Sequence, residues 1–129
     1  VLVAQELGLP FIYVRSSAKG HGRQNLIEGA FEKGQEAVVI EDLISTGGSS
    51  LKAVEALREA GIGVKGLAAI FTYGFESAEH HFNESECAYV TLTDYQLLLE
   101  KALSSNYIEK NQLSLLREWR QDPKNWLKK

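Results

Sequence analysis

The chain has 129 residues, 44% hydrophobic and 24% charged, with 14 Lys and Arg against 17 Asp and Glu, giving a formal net charge of -3. That length supports one globular domain with a real core, and the acidic balance with only a short basic cluster argues against a general nucleic-acid surface. No apolar stretch approaches a membrane span and no signal peptide is evident; the single cysteine, Cys87, leaves no disulfide framework and fits a reducing cytoplasm.

In chain order, Val1 to Pro10 reads as the tail of a helix stopped by Gly8 and Pro10. The chain opens without an initiator Met and contains no Met, so a parallel sheet built from it is expected to lack the strand preceding that helix. Phe11-Ile12-Tyr13-Val14-Arg15 reads as a strand, and Ser16 to Asn25 follows it, polar, glycine-rich and without helical or strand period. That segment is expected to be a mobile loop. Arg15, Lys19, His21 and Arg23 concentrate positive charge there in an otherwise acidic chain. Singly, each would serve as a solvated surface residue; together they suit closure over a polyanion.

Beyond a Lys33-Gly34 turn, Glu36 to Ile40 is an apolar, β-branched run suited to a buried strand of a parallel sheet. Ser49 to Glu59 places Leu51, Val54, Leu57 and Arg58 at helical spacing, with Ser49 or Ser50 available as N-cap and Gly61 as the stop. Between them stand Glu41, Asp42, Leu43, Ile44, Ser45, Thr46, Gly47 and Gly48. A strand-loop-helix unit of this kind puts its loop at the carboxyl end of the sheet, where open α/β folds bind ligands. Gly47 and Gly48 allow close backbone approach to an anion, and the helix N-terminus presents N–H groups of partial positive charge. Ser45, Thr46 and Ser49 add hydroxyl donors. Two adjacent acids facing a phosphate would repel it; they make sense as acceptors for the vicinal hydroxyls of a sugar phosphate. The alternative is an ordinary strand-to-helix turn with capping side chains. It is not a Walker A loop, because no Lys follows the glycines, and it does not read G-x-G-x-x-G.

Val64 to Thr72 reads as a further core strand, followed by Tyr73-Gly74-Phe75 and a short helix through Ala78 to Phe82. His80 and His81 lie among Glu76, Glu79 and Glu84 without a strong metal-ligand spacing, and a solvated helix face is the better reading. Trp119 and Trp126 flank Pro123 in the tail, where packing is favoured over base stacking.

The segment V-V-I-E-D-L-I-S-T-G-G-S-S, residues 38–50, resembles the phosphoribosyl-pyrophosphate (PRPP) motif of type I phosphoribosyltransferases. Arg15-x-x-x-Lys19-x-His21-Gly22 resembles the catalytic loop of orotate phosphoribosyltransferases, in which Arg, Lys and His meet the pyrophosphate of PRPP, partly across a dimer interface. The family often carries a Lys directly after that Arg; Ser16 stands there here. I-F-T-Y-G-F, T-L-T-D-Y-Q-L-L-L-E and W-R-Q-D-P-K-N-W are similar to the C-terminal half of the same family. The resemblance covers nearly the whole chain, which corresponds to the C-terminal two-thirds of a family member.

The resemblance implies an α/β, type I phosphoribosyltransferase fold, a central mainly parallel sheet flanked by helices, without its N-terminal hood and first core strand. Residues 1–129 would form a single, truncated domain. It implies catalytic roles for Lys19, His21 and Asp42, and PRPP contacts from Arg15, Lys19, His21, Glu41, Asp42, Leu43, Ile44, Ser45, Thr46, Gly47, Gly48 and Ser49. Ser45 would also meet orotate, and no protein metal ligand is carried over. Magnesium would arrive mainly through PRPP. A cytoplasmic homodimer with shared active sites is implied, its substrates PRPP and orotate, with no nucleic-acid or membrane partner. Two alternatives stay open: transfer to another base, and a non-catalytic domain that binds PRPP or a nucleotide as a regulatory signal.

Overall fold

The computed structural model describes residues 1–16 and 26–126. Helix α1, Leu2–Glu6, is followed by strands β1, Tyr13–Val14, and β2, Ile27–Glu28. Then come β3, Glu36–Ile44, α2, Gly48–Glu59, β4, Gly63–Thr72, α3, Glu76–Glu84, β5, Tyr89–Asp94, and the closing helices α4, Tyr95–Ser104, and α5, Lys110–Gln121.

The main sheet has the order β3-β4-β5, both pairings parallel. Parallel neighbours need crossover helices, and α2 and α3 supply them. The register aligns Val39 with Leu67 and Leu67 with Tyr89 on one face. Against that face the core assembles from Ile44, Val54, Leu67, Ala69, Ala78, Phe82 and Cys87. Phe82 is its largest fully buried side chain, with its ring centroid 4.4 Å from that of Tyr89. On the other face, Ile40 aligns with Ala68 and Ala68 with Val90. Val38, Ile40, Ile70, Val90 and Leu92 are all exposed large apolar side chains. The helices of the described residues thus cover one side of the sheet.

Three sequence expectations change. Tyr13–Val14 does not join the main sheet: it pairs antiparallel with Ile27–Glu28 in a separate two-stranded ribbon, extended by Arg15 N–H donating to the Leu26 carbonyl at 2.8 Å. Two residues of local pairing satisfy the backbone here, where the apolar run alone suggested a core strand. The strand expected over Glu36 to Ile40 continues to Ile44, because β4 offers a ladder partner as far as Thr72. Glu41 and Asp42 therefore lie inside the last turn-ward residues of a strand, not beyond it. Finally, α2 begins at Gly48 with Gly47 as its N-cap, two or three residues ahead of the Ser49 or Ser50 cap expected.

The C-terminal helices are locked locally and by an aromatic cluster. Asp94 caps α4, its Oδ1 accepting from the Leu97 N–H at 2.9 Å, and Glu109 and Gln112 form a reciprocal capping box at α5. Trp119 packs its ring 5.5 Å from both Tyr73 and Tyr95, so the expected packing role is met. Arg120 then donates from Nε to the Tyr73 carbonyl at 2.7 Å and from Nη2 to that of Gly74. Among the described residues no helix is long and apolar enough to cross a membrane.

Phe82→Ala should cost about 3–5 kcal/mol of folding free energy through lost burial and the cavity left behind, read as a lower midpoint in urea unfolding. Burial pushes the Cys87 thiol above its ordinary value, against a smaller opposing pull from Arg58. Burial likewise raises the Tyr95 phenol, helped by Tyr73 and opposed by Arg120. A raised pKa means the folded state holds the proton more tightly, so this stability is complete below the ordinary values and is lost as pH rises through the raised ones. Unfolding free energy measured from pH 8 upward should fall above about pH 9, and Cys87→Ala should flatten that decline.

Candidate functional site

The site is built where β3 runs out. Ile44 is wholly buried, and its carbonyl accepts from the Tyr73 N–H at 3.2 Å and from the buried Thr72 Oγ1 at 3.3 Å. The end of β4 thereby fixes the point at which the chain leaves the sheet. Thr72 Oγ1 also accepts from the Gly74 N–H at 3.0 Å, tying two neighbouring loops to one hydroxyl.

From Ile44 the chain turns through Ser45, Thr46 and Gly47 into α2. Gly47 has φ +82, the left-handed region that glycine enters without the Cβ penalty. A Cβ there would stand 2.9 Å from Cε2 of Phe82. Conformation and packing both require glycine at this position. The first helical bond is made by the Leu51 N–H to the Gly47 carbonyl at 2.9 Å. No side chain caps α2, in contrast to the capping by Ser49 or Ser50 expected from sequence. Ser50 is instead buried, at 1% exposure, because starting the helix at Gly48 turns it toward the core. The leading N–H groups of α2 consequently face outward without intrahelical partners, the standard geometry for holding an anion.

Around this cradle Ser45, Thr46, Gly48 and Ser49 are exposed, as are Asp42 and Leu43, while Glu41 is half-buried. The strand's in-out alternation breaks at Asp42 and Leu43, which are both exposed. The structure thus brings together Glu41, Asp42, Ser45, Thr46, Gly47, Gly48 and Ser49 in one strand-loop-helix corner, with Ile44 as its buried anchor. Among the described residues no group of three His, Cys, Asp or Glu side chains gathers as a metal cage.

The basic residues stand differently. Arg15 is on the β1–β2 ribbon, and its Nη1 pairs with Glu28 Oε1. It meets a carboxylate of its own ribbon, a partner that the charge count of the loop did not suggest. Lys19, His21 and Arg23 lie outside the described residues.

Two contributors escaped the sequence reading. His80 does pair along the helix with Glu84, at 3.1 Å, but His81 is more than a solvated face: its Nδ1 lies 2.9 Å from the Thr46 carbonyl oxygen. Arg58, read as part of an amphipathic pattern, donates to the Ser85 and Glu86 carbonyls at 2.6 and 3.0 Å, closing the C-terminal end of α3 and joining it to α2. Neither contact has a local sequence signal, because each partner lies more than 25 residues away.

No family model matches the chain. The orotate phosphoribosyltransferase of Porphyromonas gingivalis is 55% identical over 125 residues, covering 97% of this chain and 60% of that protein. Over nearly its whole length the chain is similar to orotate phosphoribosyltransferases. Its fold agrees: orotate phosphoribosyltransferase from Aeropyrum pernix matches with TM-score 0.69 at 32% identity, over 78% of this chain and 55% of the other. Leishmania donovani UMP synthase matches with TM-score 0.79 at 28% identity, over 92% of this chain and 25% of that one. The parallel β3-β4-β5 sheet with its flanking helices is thus a type I phosphoribosyltransferase core. The chain spans about 60% of the length of the curated relatives it matches.

Gly47→Ala should cost about 1–3 kcal/mol, combining the left-handed backbone penalty with the clash on Phe82. Gly48→Ala, where a Cβ meets nothing within 4 Å, should stay within about 0.5 kcal/mol of the parent in the same denaturant titration.

Proposed function

We propose that the protein carrying this chain is an orotate phosphoribosyltransferase, moving the ribose 5-phosphate group of PRPP to orotate to give orotidine 5'-monophosphate and pyrophosphate in pyrimidine biosynthesis. The observation that carries the reading is the corner at the end of β3, an uncapped helix N-terminus behind a left-handed Gly47 with two carboxylates just upstream. The likeness to the Porphyromonas gingivalis enzyme, 55% identity across 97% of the chain, supports it.

In this reading the 5'-phosphate sits on the loop from Leu43 to Ser49, against the leading N–H groups of α2 and the hydroxyls of Ser45, Thr46 and Ser49. Glu41 and Asp42 accept from the ribose hydroxyls and leave negative charge beside the sugar. The reaction breaks the bond from the anomeric carbon to the pyrophosphate oxygen, whose electron pair leaves with pyrophosphate. A new bond forms from the anomeric carbon to a ring nitrogen of orotate, which gives up its proton. Positive character on the ribose ring is stabilised by Asp42 and Glu41, and the growing negative charge on pyrophosphate by Lys19, His21 and Arg15. Ser45 also contacts orotate. Arg15 reaches this role by exchanging Glu28 for pyrophosphate.

Magnesium fits as a companion of the substrate: Asp42 is exposed and Glu41 half-buried at the corner, and a hydrated ion held chiefly by phosphate oxygens needs no more than one or two carboxylates. When bound, it neutralises pyrophosphate charge. Residues 1–129 are read as one domain of a cytoplasmic homodimer in which the basic loop is shared between subunits, with neither nucleic acid nor membrane as partner.

The test is loss of orotate absorbance on adding PRPP and magnesium to the full-length protein, with uracil, adenine and hypoxanthine in parallel. Orotate alone should be consumed. Asp42→Asn and Lys19→Ala should each lower kcat, by about 10²-fold if each supplies one charged transition-state contact. Consumption of another base would overturn the assignment of orotate, and unchanged turnover in Lys19→Ala would remove the basic loop from the mechanism.

A further inference from the structure

We propose that His81 is a positioning residue for the phosphate loop, holding the peptide between Thr46 and Gly47 so that its N–H is aimed at the phosphate. The inference rests on the phosphate-site reading above and adds to it a residue from a different element, α3.

The chemistry of the contact is determined by its acceptor. A carbonyl oxygen only accepts, so His81 Nδ1, 2.9 Å from the Thr46 oxygen, is the protonated ring nitrogen. The peptide joining Thr46 to Gly47 is planar and trans, so its carbonyl and its N–H point in opposite directions. Pinning the oxygen toward α3 turns the Gly47 N–H away from α3. A carbonyl that accepts a hydrogen bond also polarises its own N–H into a better donor.

The next residue makes the geometry rigid. Phe82 is 1% exposed, and its ring comes within 2.9 Å of where a Gly47 Cβ would stand. Consecutive residues of α3 therefore hold consecutive residues of the loop, His81 by hydrogen bond and Phe82 by packing. The end of α3 is itself held to α2 by Arg58, through the Ser85 and Glu86 carbonyls. His80, by comparison, bonds along its own helix to Glu84 and touches no part of the loop through that contact.

A histidine in this role affects the phosphate end of PRPP and not its pyrophosphate end. In the full-length protein, His81→Ala should weaken ribose 5-phosphate binding about 3- to 10-fold by isothermal titration calorimetry, the worth of one polar contact. The KM for PRPP should rise by a similar factor. Pyrophosphate affinity and kcat should stay within about twofold of the parent. His81→Asn should restore ribose 5-phosphate binding, because the Asn Nδ2 donor sits where the histidine Nδ1 does, whereas His81→Gln, whose donor lies one bond further out, should not. Thermal midpoints of all three variants report folding. Unchanged ribose 5-phosphate binding in a folded His81→Ala would overturn the inference, as would equal losses for ribose 5-phosphate and pyrophosphate. If the parent protein itself binds no ribose 5-phosphate, the phosphate-site reading falls and this inference with it.

Discussion

The candidate site is organised around one close approach, the Phe82 ring packed where a side chain on residue 47 would have to go. It forces glycine at the turn, since a Cβ would stand 2.9 Å from the ring. It also sets how near α3 approaches the end of the sheet. A left-handed residue ahead of a helix breaks the usual pattern of Ser, Thr, Asp or Asn at the N-cap. Here the break leaves the first N–H groups of α2 uncapped. A capping side chain would have competed with an incoming anion for those same donors. The buried Phe82 and the uncapped start of α2 are two sides of one packing decision.

Around that contact the loops are held through backbone carbonyls. Thr72 and Tyr73 bond to the Ile44 oxygen, His81 to that of Thr46, Arg58 to those of Ser85 and Glu86, and Arg120 to those of Tyr73 and Gly74. Carbonyls at the ends of strands and helices are the groups that regular structure leaves unpaired. Meeting them with side chains from distant elements stiffens the connections without lengthening any strand. It also leaves the loop's own hydroxyls, Ser45, Thr46 and Ser49, exposed and available to a ligand.

Charge is distributed with similar economy. Arg15 is paired with Glu28 across the two-stranded ribbon, so its guanidinium is balanced by a carboxylate of the same ribbon. An exposed pair of this kind is worth little in water. The sheet itself is asymmetric. Parallel sheets are ordinarily covered on both faces, yet Val38, Ile40, Ile70, Val90 and Leu92 are exposed on one of them.

By itself the sequence determined the parallel α/β class, the strand-loop-helix corner and its carboxylates, hydroxyls and glycines, because these depend on local periodicity and on residues adjacent in the chain. The family resemblance rested on the same contiguous segments. What the tertiary structure decided was every matter of partnership. Phe11 to Arg15 had a strand's composition, but the hydrogen bonds available to it were those of Leu26 to Glu28 and not the main sheet. Ser49 and Ser50 had capping chemistry, but the left-handed turn at Gly47 moved the helix start and buried Ser50. His81 looked like half of a solvated histidine pair until the crossover from β4 through α3 brought it to Thr46, 35 positions away. Helical and strand periods act over a few residues, whereas these contacts are set by the crossing of β3, β4 and their helices, which no local pattern encodes.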